Sequence, residues 1–306
     1  MTNGLTRFVL RRFTVAILFV VVVGSAALVL VRLAPGDPTD DLFMRGADAE
    51  TIAAARHRLG LDQPIGSQLA RWVAGLTRLD LGESSRFGLP VAGLVADRMR
   101  NTAELAGLAL LVAAIVGLPL GVVTGTRPRS VVGRIVTIVS VALVCCPPII
   151  GTLMLLFLAA STGWLSIAPG NFVVPTLALA LPLAAMLERL QSQSMAEAFA
   201  APDIVAAAAR GVPVRRLIWI HAARQALRPV LGVAGIVVAT LFSGSIAVET
   251  MTSWPGLGRL MLDALLSRDL FLVAGCALAG SSLVAMGNFL ADLLRASVDP
   301  RVGQPS

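Results

Sequence analysis

The sequence contains no lysine, and all 25 of its basic residues are arginine. No Walker A lysine, Schiff-base lysine or Ser-Lys dyad can be built from it, so it cannot hydrolyse ATP through a P-loop of its own. Tyrosine is also missing, and there are only two histidines, His57 and His221. They lie far apart and assemble no metal cluster by proximity. The three cysteines, Cys145, Cys146 and Cys276, sit in apolar runs without CxxC spacing, where cysteine is expected as a small buried hydrophobe. Charge is scarce as well. Charged residues make up 14% of the 306 positions and apolar residues 56%, whereas an ordinary soluble domain is about a quarter charged. With a mean hydropathy of +0.82, this is the composition of an all-α integral membrane protein. The net charge of +7 is then read as arginine marking cytoplasmic loops, with no nucleic-acid partner implied.

Arg7, Arg11 and Arg12 precede an apolar run from Phe13 to Val31, about 28 Å long as a helix and sufficient to span. The run exceeds the apolar core of a signal peptide and no small-x-small site follows it cleanly, so an uncleaved span is expected. Residues 1–31 are assigned to a cytoplasmic N-terminus and this first helix, 32–100 to a small helical insertion, and 101–306 to a five-helix core. The insertion opens with a turn at Pro35-Gly36-Asp37-Pro38. It continues with an Ala-rich helix from Asp48 to Leu59 closed by Gly60, a helix around Gln68–Leu76, and another over Val91–Met99. The core spans are placed at Leu105–Gly125, Ile135–Ala160 (with Pro147-Pro148 inside), Phe172–Leu187, Val230–Val248 and Leu270–Leu290. Prolines at this density suggest bent helices around a pathway.

Arginine distribution orients the six spans. Arg127, Arg129 and Arg134 lie unopposed between spans two and three, and residues 188–228 carry six arginines against three acids. By contrast, 161–171 carries no charge, and 249–269 has two arginines against three acids. Both termini and the 188–228 loop are therefore expected in the cytoplasm and the 32–100 insertion outside. Glu104, Glu188, Glu249 and Asp292 all fall near predicted span ends, leaving no ionisable residue at depth. This weighs against a proton-coupled secondary carrier, the alternative from another class. A polytopic membrane enzyme would need convergent ligands at one depth, yet His57 falls outside and His221 inside.

The interval from Ala201 to Pro229 interrupts the apolar core with a small-residue helix, a Gly corner and an arginine-rich helix. Gly211 supplies the crowded or left-handed corner position, and Pro213 fits the first turn of the next helix. Val214, Leu217, Ile218 and His221 recur at helical spacing as one face, with Arg215 and Arg216 pointing elsewhere. Two readings fit: an amphipathic helix at the membrane interface, or a docking element for a soluble partner, which the tight corner favours.

The pattern Ala206-Ala207-x-x-x-Gly211, with His221 and Pro229 following at ten and eighteen residues from the glycine, resembles the cytoplasmic loop of bacterial ABC importer permeases. Val248–Leu260 (VETMTSWPGLGRL), Arg268-Asp269, Asp299-Pro300-Arg301, Ala34–Pro38 (APGDP), Leu59–Pro64 (LGLDQP), Asp80-Leu81-Gly82 and Asn101-Thr102-x-Glu104-Leu105 are similar to the first permease of dipeptide/oligopeptide/nickel-type importers. The resemblance implies the type I permease fold in a bacterial inner membrane. It also implies a second homologous permease as heterodimer partner, two ABC ATPase subunits or one fused ATPase, and an extracytoplasmic binding protein. ATP and Mg would be bound by the ATPases, with no cofactor in this chain and no catalysis by it. Ala206, Ala207, Arg210, Gly211, Pro213, Arg215, Arg216, Leu217 and His221 would form the ATPase-coupling loop. Glu249, Thr250, Trp254, Pro255 and Gly256 would line a periplasmic gate or vestibule, and Trp72 and Trp164 belong to packing or the membrane interface. Peptides are the implied solute, with nickel chelates, haem, glutathione or sugars as alternatives. The family's motif glutamate falls on Val205, and its frequent polar residues fall on Val205, Ala206 and Ala208. Arg210, Arg215 and Arg216 are therefore left to supply polar contacts.

Overall fold

The computed structural model describes residues 2–34, 39, 46, 48–166, 168 and 170–298. Pro35–Pro38 of the expected turn and the Asp299-Pro300-Arg301 motif lie outside the described residues. Among the described residues the regular structure is helical, apart from an isolated bridge between Glu83 and Pro90. Five helices are long and apolar enough to cross a membrane, or six if one sharply bent pair counts as a single span. The described helices divide into two compact units.

One unit holds residues 10–102 and 255–286. It contains most of helix α1 (Thr2–Leu33) together with α2 (Ala49–Leu59) and α3 (Ile65–Leu76). Much of α1 is exposed apolar surface, including Leu10, Phe13, Leu18, Val22 and Leu30, as a lipid-facing helix requires. Its Leu28 is fully buried and packs with Leu61, Trp72, Leu270 and Ala274. Helix α2 begins at Asp48, whose carboxylate accepts from the Thr51 N–H at 3.2 Å, an N-cap. Hydrogen bonding from the Thr51 side chain, and then from its N–H, holds the Asp48 carboxyl below its ordinary range, so the cap persists above that range and is lost as pH falls through the depressed value. Gly60 closes α2 in the left-handed region at φ 68, as its position in the sequence predicts.

In the same unit, Asp269 is 1% exposed. Its Oδ1 accepts from the Leu272 N–H at 3.1 Å, capping the helix that starts at Leu270. Its Oδ2 accepts from Ser84 Oγ at 2.5 Å and from the Arg86 N–H at 3.1 Å, while the Arg86 guanidinium donates to the Asp263 carbonyl at 3.0 Å. One carboxylate therefore caps a helix and pins the 84–87 loop. Asp269→Ala should lose about 1 kcal/mol of capping and leave buried donors unpaired at about 1–3 kcal/mol. The expected result is a lower unfolding midpoint in detergent and faster tryptic cleavage after Arg86; no change in either would refute the clasp.

The other unit holds residues 2–9, 103–254 and 287–298. Helix α4 (Val91–Thr126) runs unbroken through Pro119, joining the separately expected Val91–Met99 helix to span two. Span three, expected over Ile135–Ala160 with Pro147-Pro148 inside, bends by 112° between α5 (Val131–Cys145) and α6 (Pro148–Thr162). The cause is local: Cys146 and Pro147 both precede a proline, which disfavours the α region, and both are extended, with ψ 120 and 140. Cys145 is exposed there, against the expectation of burial. Helix α7 (Val173–Phe199) continues well beyond the expected end at Leu187.

Three glycines of α4, Gly117, Gly121 and Gly125, face α7 at four-residue intervals. A Cβ at each would lie 2.4 Å from the Ala184 carbonyl oxygen, 2.6 Å from Gln191 Cβ and 2.5 Å from the Ser192 carbonyl oxygen, respectively. The two backbones thus approach as closely as side-chain-free packing allows. Beside them, Leu105, Ala109, Ala113, Leu183, Val237, Leu241 and Val248 build the apolar core of this unit.

Candidate functional site

After α7 the chain turns at Ala200 and Ala201 into α8 (Pro202–Ala209), with Pro202 at its first position. Its C-terminus is a Schellman closure: the Gly211 N–H donates to the Ala208 carbonyl at 3.0 Å and the Val212 N–H to the Ala207 carbonyl at 3.3 Å. This requires the left-handed conformation, and Gly211 has φ 82. Val212 and Ala207 pack in one apolar cluster, the contact that usually accompanies the motif. Pro213 is the residue before the next helix, not within its first turn; its ψ of 135 is extended, so it marks the corner's end.

The following helical stretch consists of α9 (Val214–Arg216), a π-helical turn (Leu217–Ala222) and α10 (Ala223–Gly232). The π turn changes which residues are buried. Leu217, Ala222, Ala226 and Val230 face inward, whereas His221 is exposed and Val214 is 61% exposed. The face expected from α-periodicity (Val214, Leu217, Ile218, His221) is corrected at both ends. A wider turn inserts one residue, so the partner of Leu217 lies five positions on instead of four.

Leu217, Ala222 and Ala226 join Ile204 and Ala207 of α8 against Val122 of α4 and Met195 of α7. The Gln225 side-chain amide also donates to the Asp203 carboxylate. The corner is thus seated on the end of the α4–α7 pair. On the outward side, Ala206, Arg210, Gly211, Pro213, Arg215, Arg216 and His221 are exposed, as are Val205, Trp219 and Ile220. Pro213, Arg215, Arg216, Trp219 and Ile220 line an open recess of about 490 Å³. Two guanidinium groups beside an indole form a surface suited to an acidic and apolar protein partner. Trp219 and Ile220 were not singled out in the sequence, although both lie at α-helical spacing from Arg215 and Arg216; an apolar pair on the polar face carries no signal of its own.

The second group of expected residues is divided by the structure. Glu249 is fully buried and Thr250 half-buried near the end of α11 (Ala234–Met251), where the Trp254 N–H donates to the Glu249 carbonyl at 2.9 Å. Pro255 and Gly256 belong to the other unit. There Asn101 Nδ2 donates to the Pro255 carbonyl at 2.8 Å, and Thr102 Oγ1 accepts from the Leu257 N–H at 2.7 Å at the start of α12 (Leu257–Leu266). Trp72 is buried in packing while Trp164 is 90% exposed.

The sequence departs from expectation at one further buried position. Glu188 lies inside α7, which continues to Phe199, and is 1% exposed. Thr124 Oγ1 donates to its Oε1 at 2.5 Å.

A helical chain with several apolar spans and a seated, outward-facing basic corner is of the class of polytopic membrane transport subunits. A family model for the binding-protein-dependent transport system inner membrane component matches residues 117–304, and one for the N-terminal part of such components matches 5–106. The chain belongs to this family and has its type I permease fold. It is 31% identical over 308 residues to a probable peptide ABC transporter permease protein of Sinorhizobium fredii, covering 96% of this chain and 98% of that one. It is 33% identical over 317 residues to a putative peptide transport system permease protein of Brucella abortus, with 97% and 99% covered. It is 31% identical over 338 residues to the dipeptide transport system permease protein DppB of Escherichia coli K12, with 97% and 98% covered.

Proposed function

We propose that this chain is the permease subunit of an ATP-driven peptide importer, forming half of the translocation pathway with a second, homologous permease. The observation that carries this reading is similarity from end to end with permeases named for peptide or dipeptide transport. An extracytoplasmic binding protein delivers the solute, and two ABC ATPases, separate or fused, bind ATP and Mg and supply the work. The chain itself catalyses no reaction. The arginine-rich loops support a topology with both termini and the Ala201–Pro229 element in the cytoplasm and residues 32–100 outside. On this topology Glu249, Thr250, Trp254, Pro255 and Gly256 lie toward the outer face and serve as gate or vestibule residues.

Coupling follows from the seat of the corner. An ATPase that grips Arg210, Arg215, Arg216 and the Pro213–Ile220 recess moves Ala207 and Leu217, and those press on Val122 and Met195. Movement passes to α4 and α7 as packed bodies, which is how bistable helix contacts switch access. Arg215→Ala with Arg216→Ala should reduce co-purification of the ATPase about tenfold, equivalent to about 1.4 kcal/mol of lost docking. Undiminished recovery would count against the docking role. The transport reading is tested by proteoliposomes carrying both permeases and the ATPases, with labelled dialanine and binding protein outside and ATP inside. ATP-dependent accumulation is expected. Accumulation driven by a proton gradient without ATP would overturn it, and uptake of a nickel chelate, haem or glutathione in place of peptide would reassign the solute.

A further inference from the structure

Glu188 has a role that the coupling surface does not assign. Its Oε1 accepts from Thr124 Oγ1 at 2.5 Å, the short end of the range for a hydroxyl on a carboxylate. Thr124 and Glu188 are each 1% exposed and Gln191, one turn on, is 2% exposed. The second oxygen of Glu188, Oε2, and the amide oxygen of Gln191 are buried with no hydrogen-bond partner. Such a cluster is a poor way to hold two helices together, since apolar residues of similar volume would pack without the desolvation cost.

What the cluster supplies is direction. Gly117, Gly121 and Gly125 present α7 with a surface that lacks side chains, and a smooth surface discriminates weakly between neighbouring registers. A slip along α4 would exchange one set of backbone contacts for a similar set. The hydroxyl-to-carboxylate bond exists in one register only. Two residues before Thr124 and seven after Glu188 come Val122 and Met195, the seat of Ile204, Ala207, Leu217 and Ala222. The bolt and the seat thus share one helix pair.

We propose that Thr124 and Glu188 are positioning residues, whose hydrogen bond fixes the register of α7 on α4 so that displacement of the coupling corner is carried along both helices. The proposal rests on the reading of that corner as the ATPase-coupling element, and the experiment separates the two.

The full complex is reconstituted with Thr124→Val, Thr124→Ser or Glu188→Gln, and three quantities are measured: ATPase recovery, stimulation of ATP hydrolysis by the binding protein, and dialanine accumulated per ATP hydrolysed. Thr124→Val is close in shape to the parent and removes only the donor. Recovery should be unchanged, while stimulation and accumulation per ATP fall about tenfold, the equivalent of about 1.4 kcal/mol. Thr124→Ser and Glu188→Gln retain a hydrogen bond and should remain close to the parent. Parental coupling in Thr124→Val would overturn the proposal. So would Thr124→Ser failing as Thr124→Val does, since the methyl group would then be what matters, and so would loss of ATPase recovery in Thr124→Val, since the pair would then merely support docking. If the Arg215/Arg216 variant retains its ATPase while Thr124→Val still uncouples, the docking surface is misplaced and the register role stands.

Discussion

Gly211→Val is expected to abolish uptake while leaving the permease inserted in the membrane. Gly211 sits at φ 82 with open space where a Cβ would be, so the substitution is opposed by backbone conformation alone. A left-handed conformation costs an L-residue about 1–2 kcal/mol and is a genuine outlier for a β-branched side chain. Because each 1.4 kcal/mol is about tenfold in population, the ratio of seated to unseated corner would fall by about an order of magnitude. Val212 would then leave the cluster that holds Ala207 and Leu217, and the Schellman bonds from Gly211 and Val212 would open. Gly211→Asn should preserve uptake, since asparagine enters this region readily. Uptake and membrane level are measured together: normal uptake in the valine variant would sink the coupling assignment, and equal loss in both would locate the fault in the added side chain on the exposed corner instead of backbone shape.

The sequence disclosed more of the architecture than of the site. Apolar runs near the length of a bilayer located the spans, since lipid leaves the backbone few alternatives, and Gly60 and Gly211 were legible as left-handed closures. Proline was ambiguous. Pro119 and Pro182 stay inside continuous helices, whereas Pro147-Pro148 bends its pair by 112°. Consecutive prolines restrict two preceding residues, and a single one leaves neighbouring turns able to compensate. The inward face after Pro213 was misread because a π turn has no periodicity signal of its own. Glu188 was placed at a span end because hydropathy falls after Leu187, although the helix continues to Phe199. Hydropathy reports where apolar residues stop and does not report where hydrogen bonding stops. Its partner Thr124 is 64 residues away, a pairing that only the folded helices bring about.

The largest loss of folded protein is expected from Gly117. A Cβ there would sit 2.4 Å from the Ala184 carbonyl oxygen and 3.1 Å from both its carbonyl carbon and its Cα, so the obstacle is backbone and no rotamer can relieve it. Two effects oppose each other in Gly117→Ala. Alanine gains about 1 kcal/mol of helix propensity over glycine, whereas overpacking of a tight core typically costs about 1–3 kcal/mol and here would force α4 and α7 apart along their length. Separation would also strain the contacts of Gly121 and Gly125 with Gln191 and Ser192 and the Thr124–Glu188 bond, so the penalty should win. Gly117→Ala is expected to lower the unfolding midpoint in detergent, and Gly117→Leu to prevent accumulation of folded permease. The same helix provides the control. Gly93 and Gly107 meet nothing within 4 Å of a Cβ, so Gly93→Ala and Gly107→Ala should be neutral or gain the propensity term. If Gly117→Ala behaves like these two, α4 and α7 are not in backbone contact, and the register argument built on that contact falls with it.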